Sequence, residues 1–197
     1  MANEDNKVHY DLDDVYVAKV TITDGVVSFG DPRRLYGAIG IDLSAEGDTT
    51  KLRADGMDYY VSVANNGYTG DLSLAMVPDW LKAEYLGHMI TEQDKVLVED
   101  TSIEPNPFAL LFRFKGDKHD RRHVMYNCVA ARPNVKGENK DNPNDPDTEA
   151  LPLTCSPLPD GKVKASTTAE TPASVYDNWN KAVWLPTAAA AAQSEGS

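Results

Sequence analysis

Thiols, basic charge and long apolar runs are scarce in this chain, and each scarcity closes off a class of protein. Only Cys128 and Cys155 stand in 197 residues, too few for the disulfide framework of a small secreted scaffold. Both lie in apolar, strand-like runs, a setting that favours small buried hydrophobes over a disulfide. Lysine and arginine number 19 against 31 aspartates and glutamates, a formal net charge of −12. That balance argues against a protein that grips nucleic acid by displacing counterions, although it is compatible with one past which DNA slides. No apolar stretch approaches the roughly 20 residues of a membrane helix. The acidic start Met1-Ala2-Asn3-Glu4-Asp5 has neither the basic region nor the apolar run of a signal peptide, so a cytosolic protein is expected.

What is present is short, alternating and mainly β. The 41% apolar and 25% charged residues suit one soluble domain with a real core. Val15 to Ile22 alternate on both faces, and Asp24-Gly25 provides the positive-φ pair of a tight hairpin before Val26 to Phe29. Ile39, Ile41 and Leu43 mark a strand whose partner is expected beyond residues 44–58, a polar stretch read as one long loop. Tyr59, Val61 and Val63 resume the alternation, and Leu72, Leu74 and Met76 line one face of a further strand. Long loops inside compact domains are usually functional or disordered, which draws attention to 44–58. Pro78 at a helix start, Asp79 in the first turn and Gly87 beyond the end predict a helix from Pro78 to Leu86 that packs Leu81 and Tyr85 on a sheet.

Phe108, Leu110, Phe112 and Phe114 share one face of a strand, and Val124, Tyr126, Cys128 and Ala130 are expected on one face of its hairpin partner. Asn, Asp, Pro and Gly crowd residues 134–147, an exposed loop, and Leu151, Leu153 and Cys155 form the next strand. Asp160-Gly161 turns into a strand around Val163. Thr171-Pro172 predicts a helix to Asn180, with Val175 and Trp179 on its buried side, followed by a last strand Ala182 to Leu185. Residues 1–7 read as a flexible arm and 188–197 as a disordered, Ala-rich tail. A single domain is therefore expected over 1–187.

Residues able to do chemistry are present without the patterns that chemistry needs. His119 and His123 sit at a hairpin end, not in the helical arrangement that brings two imidazoles to zinc. Asp141, Asp145 and Asp147 have oxygens suited to calcium but lack the glycine and closing glutamate of an EF-hand loop. Asp11, Asp13 and Asp14 read as a charged strand entry in preference to a catalytic carboxylate pair. No nucleophile elbow, P-loop or dinucleotide fingerprint occurs. Tyr59, Tyr60, Tyr68 and Trp184 could stack on sugars, or pack across strands and at subunit contacts. Neither an enzyme, a metal site nor a cofactor is expected.

One ordered series of strings carries more than any single motif. Asp55-Gly56-Met57-Asp58-Tyr59-Tyr60 precedes Asn65-Asn66-Gly67-Tyr68-Thr69-Gly70-Asp71-Leu72, Val77-Pro78-Asp79-Trp80-Leu81 and Pro107-Phe108-Ala109-Leu110-Leu111-Phe112. His123-Val124-Met125-Tyr126-Asn127-Cys128, Pro159-Asp160-Gly161-Lys162-Val163-Lys164 and Trp184-Leu185-Pro186 follow. In order and spacing this series resembles the major tail tube proteins of long, non-contractile-tailed bacteriophages, specifically the phi13-type family. The resemblance implies the tail tube fold, a β-sandwich or partly open barrel with one flanking helix and a short C-terminal helix. It also implies homohexameric rings stacked into a tube within the virion tail, assembled in the host cytoplasm. Tape measure, initiator and terminator proteins are the implied partners, and DNA would cross the lumen without specific binding. In relatives the place of 44–58 is held by an inter-ring loop, so Leu52, Ala54, Asp55, Tyr59 and Tyr60 are the expected assembly residues. The alternatives are the tube protein of a contractile tail or secretion machine, and a β-sandwich carbohydrate-binding module.

Overall fold

The computed structural model describes residues 11–54, 56–115, 120–137 and 147–186. The expected arm 1–7, the tail 188–197, His119, Asp141 and Asp145 lie outside these residues. In chain order the elements are β1 (Leu12–Thr23), β2 (Val26–Phe29), β3 (Arg33–Arg34), β4 (Ala38–Glu46), β5 (Thr49–Ala54), β6 (Met57–Val63) and β7 (Gly67–Leu74). Then come α1 (Asp79–Tyr85), β8 (His88–Ile90), β9 (Leu97–Glu99), β10 (Phe108–Phe114), β11 (Arg122–Ala130), β12 (Glu149–Cys155), β13 (Lys164–Ser166) and α2 (Ala173–Tyr176). The chain is mainly β, as its alternation predicts.

The main sheet runs β2-β1-β10-β11-β12-β7-β4, with β3 on β1 and β13 on β11. Each of these pairings is antiparallel. The sheet curls until β4 lies near β1 without a ladder between them, giving a partly open barrel. Inside it Val15, Val17, Leu72, Leu74, Phe108, Leu110, Leu151 and Leu153 are buried, and α1 adds Leu81 and Tyr85 to the same core. Tyr85 meets Phe108 edge to face at a centroid distance of 5.2 Å, a favourable ring geometry. Arg33 fixes the outer side of the helix: its guanidinium lies 3.8 Å from the Trp80 ring centroid and bonds Glu84, one turn further on.

A second core lies on the outer face of β1, β10 and β11, where Ala18, Val20, Ala109, Leu111, Val124 and Tyr126 meet Leu158 and Trp179. This is why Phe108–Leu111 are all buried: a strand covered on both faces reads as a continuous apolar run. The β1–β2 hairpin turns as predicted, with Asp24 at φ 51° and Gly25 at φ 79°.

Several expectations change. Val124 and Tyr126 belong to the outer core but Cys128 and Ala130 to the inner one, although all four occupy even positions. The β10–β11 register shifts between Phe108 and Leu110, and the extra β11 residue inverts the alternation beyond it. Met76 lies beyond the end of β7 and is exposed. The second helix stops at Tyr176, although Val175 and Trp179 do meet the same core. No ladder forms over Ala182–Leu185; Val183 and Leu185 pack on the outer core while Trp184 stacks on Trp179 at 5.9 Å. Alternation there reports burial against a surface rather than strand pairing. Residues 134–137 carry no regular structure, and 138–146 lie outside the described residues.

Candidate assembly site

The largest departure from expectation falls on 44–58. Read from sequence as a loop, it contains the end of β4, the whole of β5 and the start of β6. The β4–β7 ladder runs from Ala38↔Leu74 to Glu46↔Gly67, and the β5–β6 ladder continues from Thr49↔Val63 to Ala54↔Met57. Two backbone bonds join the ladders: Asn66 N–H donates to Glu46 O at 2.8 Å and Ala64 N–H to Asp48 O at 2.9 Å. Thr69 Oγ1 adds a 2.6 Å bond to the Glu46 carboxylate. The partner of β4 does lie beyond residues 44–58, as expected: it is β7, while Val61 and Val63 pair back onto β5.

The result is one long ribbon whose distal half, β5–β6, pairs with no other strand among the described residues. Thr49, Thr50 and Lys51 offer β-branched and long side chains compatible with extended backbone, but they do not mark a buried face. The apolar residues of the distal half are correspondingly open: Met57 is 65% exposed, Tyr60 59%, Val61 49% and Val63 73%. Alternation puts Val61 and Val63 on one face, with cross-strand partners Lys51 and Thr49, and Tyr60 on the other, opposite Leu52. Both faces of the ribbon therefore carry apolar groups.

A second constellation closes the other end of β1. Asp14 adopts φ 50° where the β1–β10 register shifts between Asp13 and Tyr16. Neighbouring residues of a regular strand point to opposite faces, but this bulge brings both carboxylates to Arg113 Nη2, Asp13 at 2.7 Å and Asp14 at 2.9 Å. Lys115 Nζ reaches Asp13 at 2.9 Å, Arg34 reaches Asp14 at 3.1 Å, and Asp120 lies 3.4 Å from Arg113. Hydrogen bonds from Lys115 and then Arg113 hold the Asp13 carboxyl far below the usual range, so it remains ionised and matched to cations.

This network makes stability depend on acid. A carboxyl whose folded pKa is depressed stabilises the fold above its unfolded value, and that contribution is lost as pH falls below it toward the folded value. Tm should therefore drop as pH is lowered through about 4, near the ordinary aspartate value, and Asp13→Asn should flatten that slope. Thermal melts of both proteins across the acid range check this; parallel slopes would refute it.

No family model matches the chain, and no curated protein matches it. Among solved structures it is similar to a chain of the anti-feeding prophage cap, described as the tube terminating cap. The TM-score is 0.44 and the identity 14%, over 86% of this chain and 100% of the other. It is also similar to a chain of the six-fold symmetrised anti-feeding prophage baseplate, with TM-score 0.43 and 11% identity over 86% of this chain and 99% of that one.

Of the residues singled out from sequence, Leu52 and Ala54 lie on β5 and Tyr59 and Tyr60 on β6. The register sets Leu52 opposite Tyr60. Asp55 is outside the described residues, as are the side chains of Leu52, Ala54 and Tyr59. Met57, Val61 and Val63 were not singled out. Their signal was an alternation that looks like any half-buried strand, and only the missing cover distinguishes them. Tyr68 is partly buried with the Lys164 ammonium 4.5 Å from its ring centroid, and Trp184 stacks on Trp179.

Proposed function

We propose that this chain is a structural subunit of a phage-type tail tube, one that forms hexameric rings which stack into a conduit for genome ejection, and that it is not an enzyme. The observation that carries the reading is the β5–β6 ribbon. A two-stranded ribbon with apolar side chains on both faces is marginal alone in water and becomes favourable when a neighbour covers it. It occupies the segment where the resembled family carries its inter-ring contact.

Three further features agree. The edge strands β2 and β4 leave backbone groups for pairing with another subunit. A contact that repeats between unlike surfaces closes into a ring or continues as a stack. The net charge of −12 suits a lumen to which DNA phosphates do not adhere. The partners would be further copies of the chain, a tape measure protein, and the tail initiator and terminator, within the virion.

The tube protein of a contractile tail or secretion machine would share this geometry. A carbohydrate-binding module is less well served, because Trp184 is engaged by Trp179 and Tyr68 by Lys164. Negative-stain electron microscopy of the purified protein, before and after concentration, tests the proposal. Rings or hollow stacked tubes are expected. Monodisperse small particles under every condition, together with saturable glycan binding, would replace it with the binding-module reading.

A further inference from the structure

We propose that Cys128 and Cys155 form a covalent cross-link site, closing a disulfide between β11 and β12. The inference is independent of the tube reading. Cys128 is the direct register partner of Cys155. The flanking bonds, Ser156 N–H to Asn127 O and Ala131 N–H to Pro152 O, make 127↔156 and 131↔152 the hydrogen-bonded pairs of this ladder. Alternation then makes 128↔155 a non-hydrogen-bonded pair, the type whose side chains stand closest, with Cα atoms about 4.5 Å apart. That spacing falls within the roughly 4.4–6.8 Å a disulfide spans.

The sulfur atoms agree with the backbone. Both thiols point into the inner core and their Sγ atoms stand 2.8 Å apart, against about 2.05 Å in a bond, so closure needs less than an ångström of movement. Sequence alone favours two inert buried hydrophobes because it does not reveal that the ladder sets them face to face.

The oxidant is of the disulfide class, such as oxidised glutathione. A thiolate of the chain attacks the oxidant's S–S bond and forms a mixed disulfide, and one glutathione thiol leaves. The second cysteine thiolate then displaces the other glutathione. Two S–H bonds are lost from the chain and one S–S bond is made; the two electrons and two protons end on two glutathione thiols. Cys128 is 0% and Cys155 1% exposed, and burial followed by contact with Cys155 raises the Cys128 thiol pKa. Thiolate and access are therefore both scarce in the closed fold. The bond forms during folding or when β11 and β12 part, rather than by attack on the intact barrel.

The test refolds the full chain from denaturant in glutathione buffers of graded oxidised-to-reduced ratio, with a parallel series kept in denaturant. After acid quenching, each sample is alkylated and weighed by intact mass spectrometry. The expected product is monomeric, two hydrogens lighter, and closed to alkylation. Its closure constant in the folded series should exceed that in denaturant by at least about tenfold, because native pairing presents the two thiols to each other. By linkage, the oxidised chain should melt at higher temperature than the reduced one. Equal or smaller closure in the folded series would overturn the proposal. So would a folded product that in the most oxidising buffer carries two alkylated thiols, two glutathiones or a link to a second chain. Cys155→Ser should stop at the mixed disulfide; a variant that forms the same lighter monomer would also overturn it.

Discussion

Replacing residues 49–63 with an Asn-Gly turn is expected to leave a folded subunit that forms no tube. Ala64 N–H already donates to Asp48 O, the closing bond of a two-residue turn, so Asn-Gly can reverse the chain there in the type I′ form that hairpins favour. No described side chain from 49–63 belongs to either core cluster, and the sheet keeps β4 and β7 intact up to Glu46↔Gly67. The melting temperature should shift by no more than a few degrees, corresponding to roughly 1 kcal/mol for a domain of this size. Assembly should be lost outright, because the deletion removes Met57, Tyr60, Val61 and Val63 together. The comparison is electron microscopy of variant and parent under conditions in which the parent forms tubes, with circular dichroism confirming the fold. Tubes from the variant would remove the ribbon from the assembly reading. A narrower variant, Tyr60→Lys with Val61→Lys, keeps the backbone and should also weaken stacking.

Gly67→Ala should strike the fold itself. Gly67 has φ +107°, and a Cβ there would lie 1.9 Å from Cys155 O and 3.0 Å from the carbon of that carbonyl. The obstruction is backbone, in the strand paired through Tyr68↔Cys155, so no side-chain rotation relieves it. Relief requires the β7–β12 ladder to open at its end, beside the root of the ribbon. Strained backbone and broken pairing together should cost at least about 3 kcal/mol. Tm should accordingly fall by about 6–12 °C. Gly161→Ala separates the two causes, since Gly161 has φ +82° but nothing within 4 Å of an added Cβ. It should show the conformational penalty alone, about 1 kcal/mol. Equal losses in the two variants would mean that the approach of β12 to Gly67 is not tight in solution.

These two predictions rest on features of different legibility. The β1–β2 turn follows from Asp24-Gly25, and α1 from Pro78, Asp79 and Gly87, because positive φ, a missing N–H and a helix terminus are decided within a few residues. One face of β10 follows from Phe108, Leu110 and Phe112, whereas the cover over Ala109 and Leu111 on its other face is a tertiary contact. The mainly-β class follows from the same local periodicities. The partners of β4, β5 and β6 were not legible, because Val61 and Val63 alternate in the same way whether a barrel or a second subunit covers them. Asp13 and Asp14 looked like a charged strand entry, and only the bulge at Asp14 turns both onto Arg113.

By itself, then, the sequence determined the β1–β2 turn, the limits of α1 and the residues apolar enough to be covered. Tertiary structure alone decided the ladder partners beyond the β1–β2 and β10–β11 hairpins, where a bulge exchanges inner for outer face in β11, and that Cys128 meets Cys155. Local backbone preference acts over a few residues, whereas a ladder partner, a register shift and a cover are set by distant segments competing for the same edge or face.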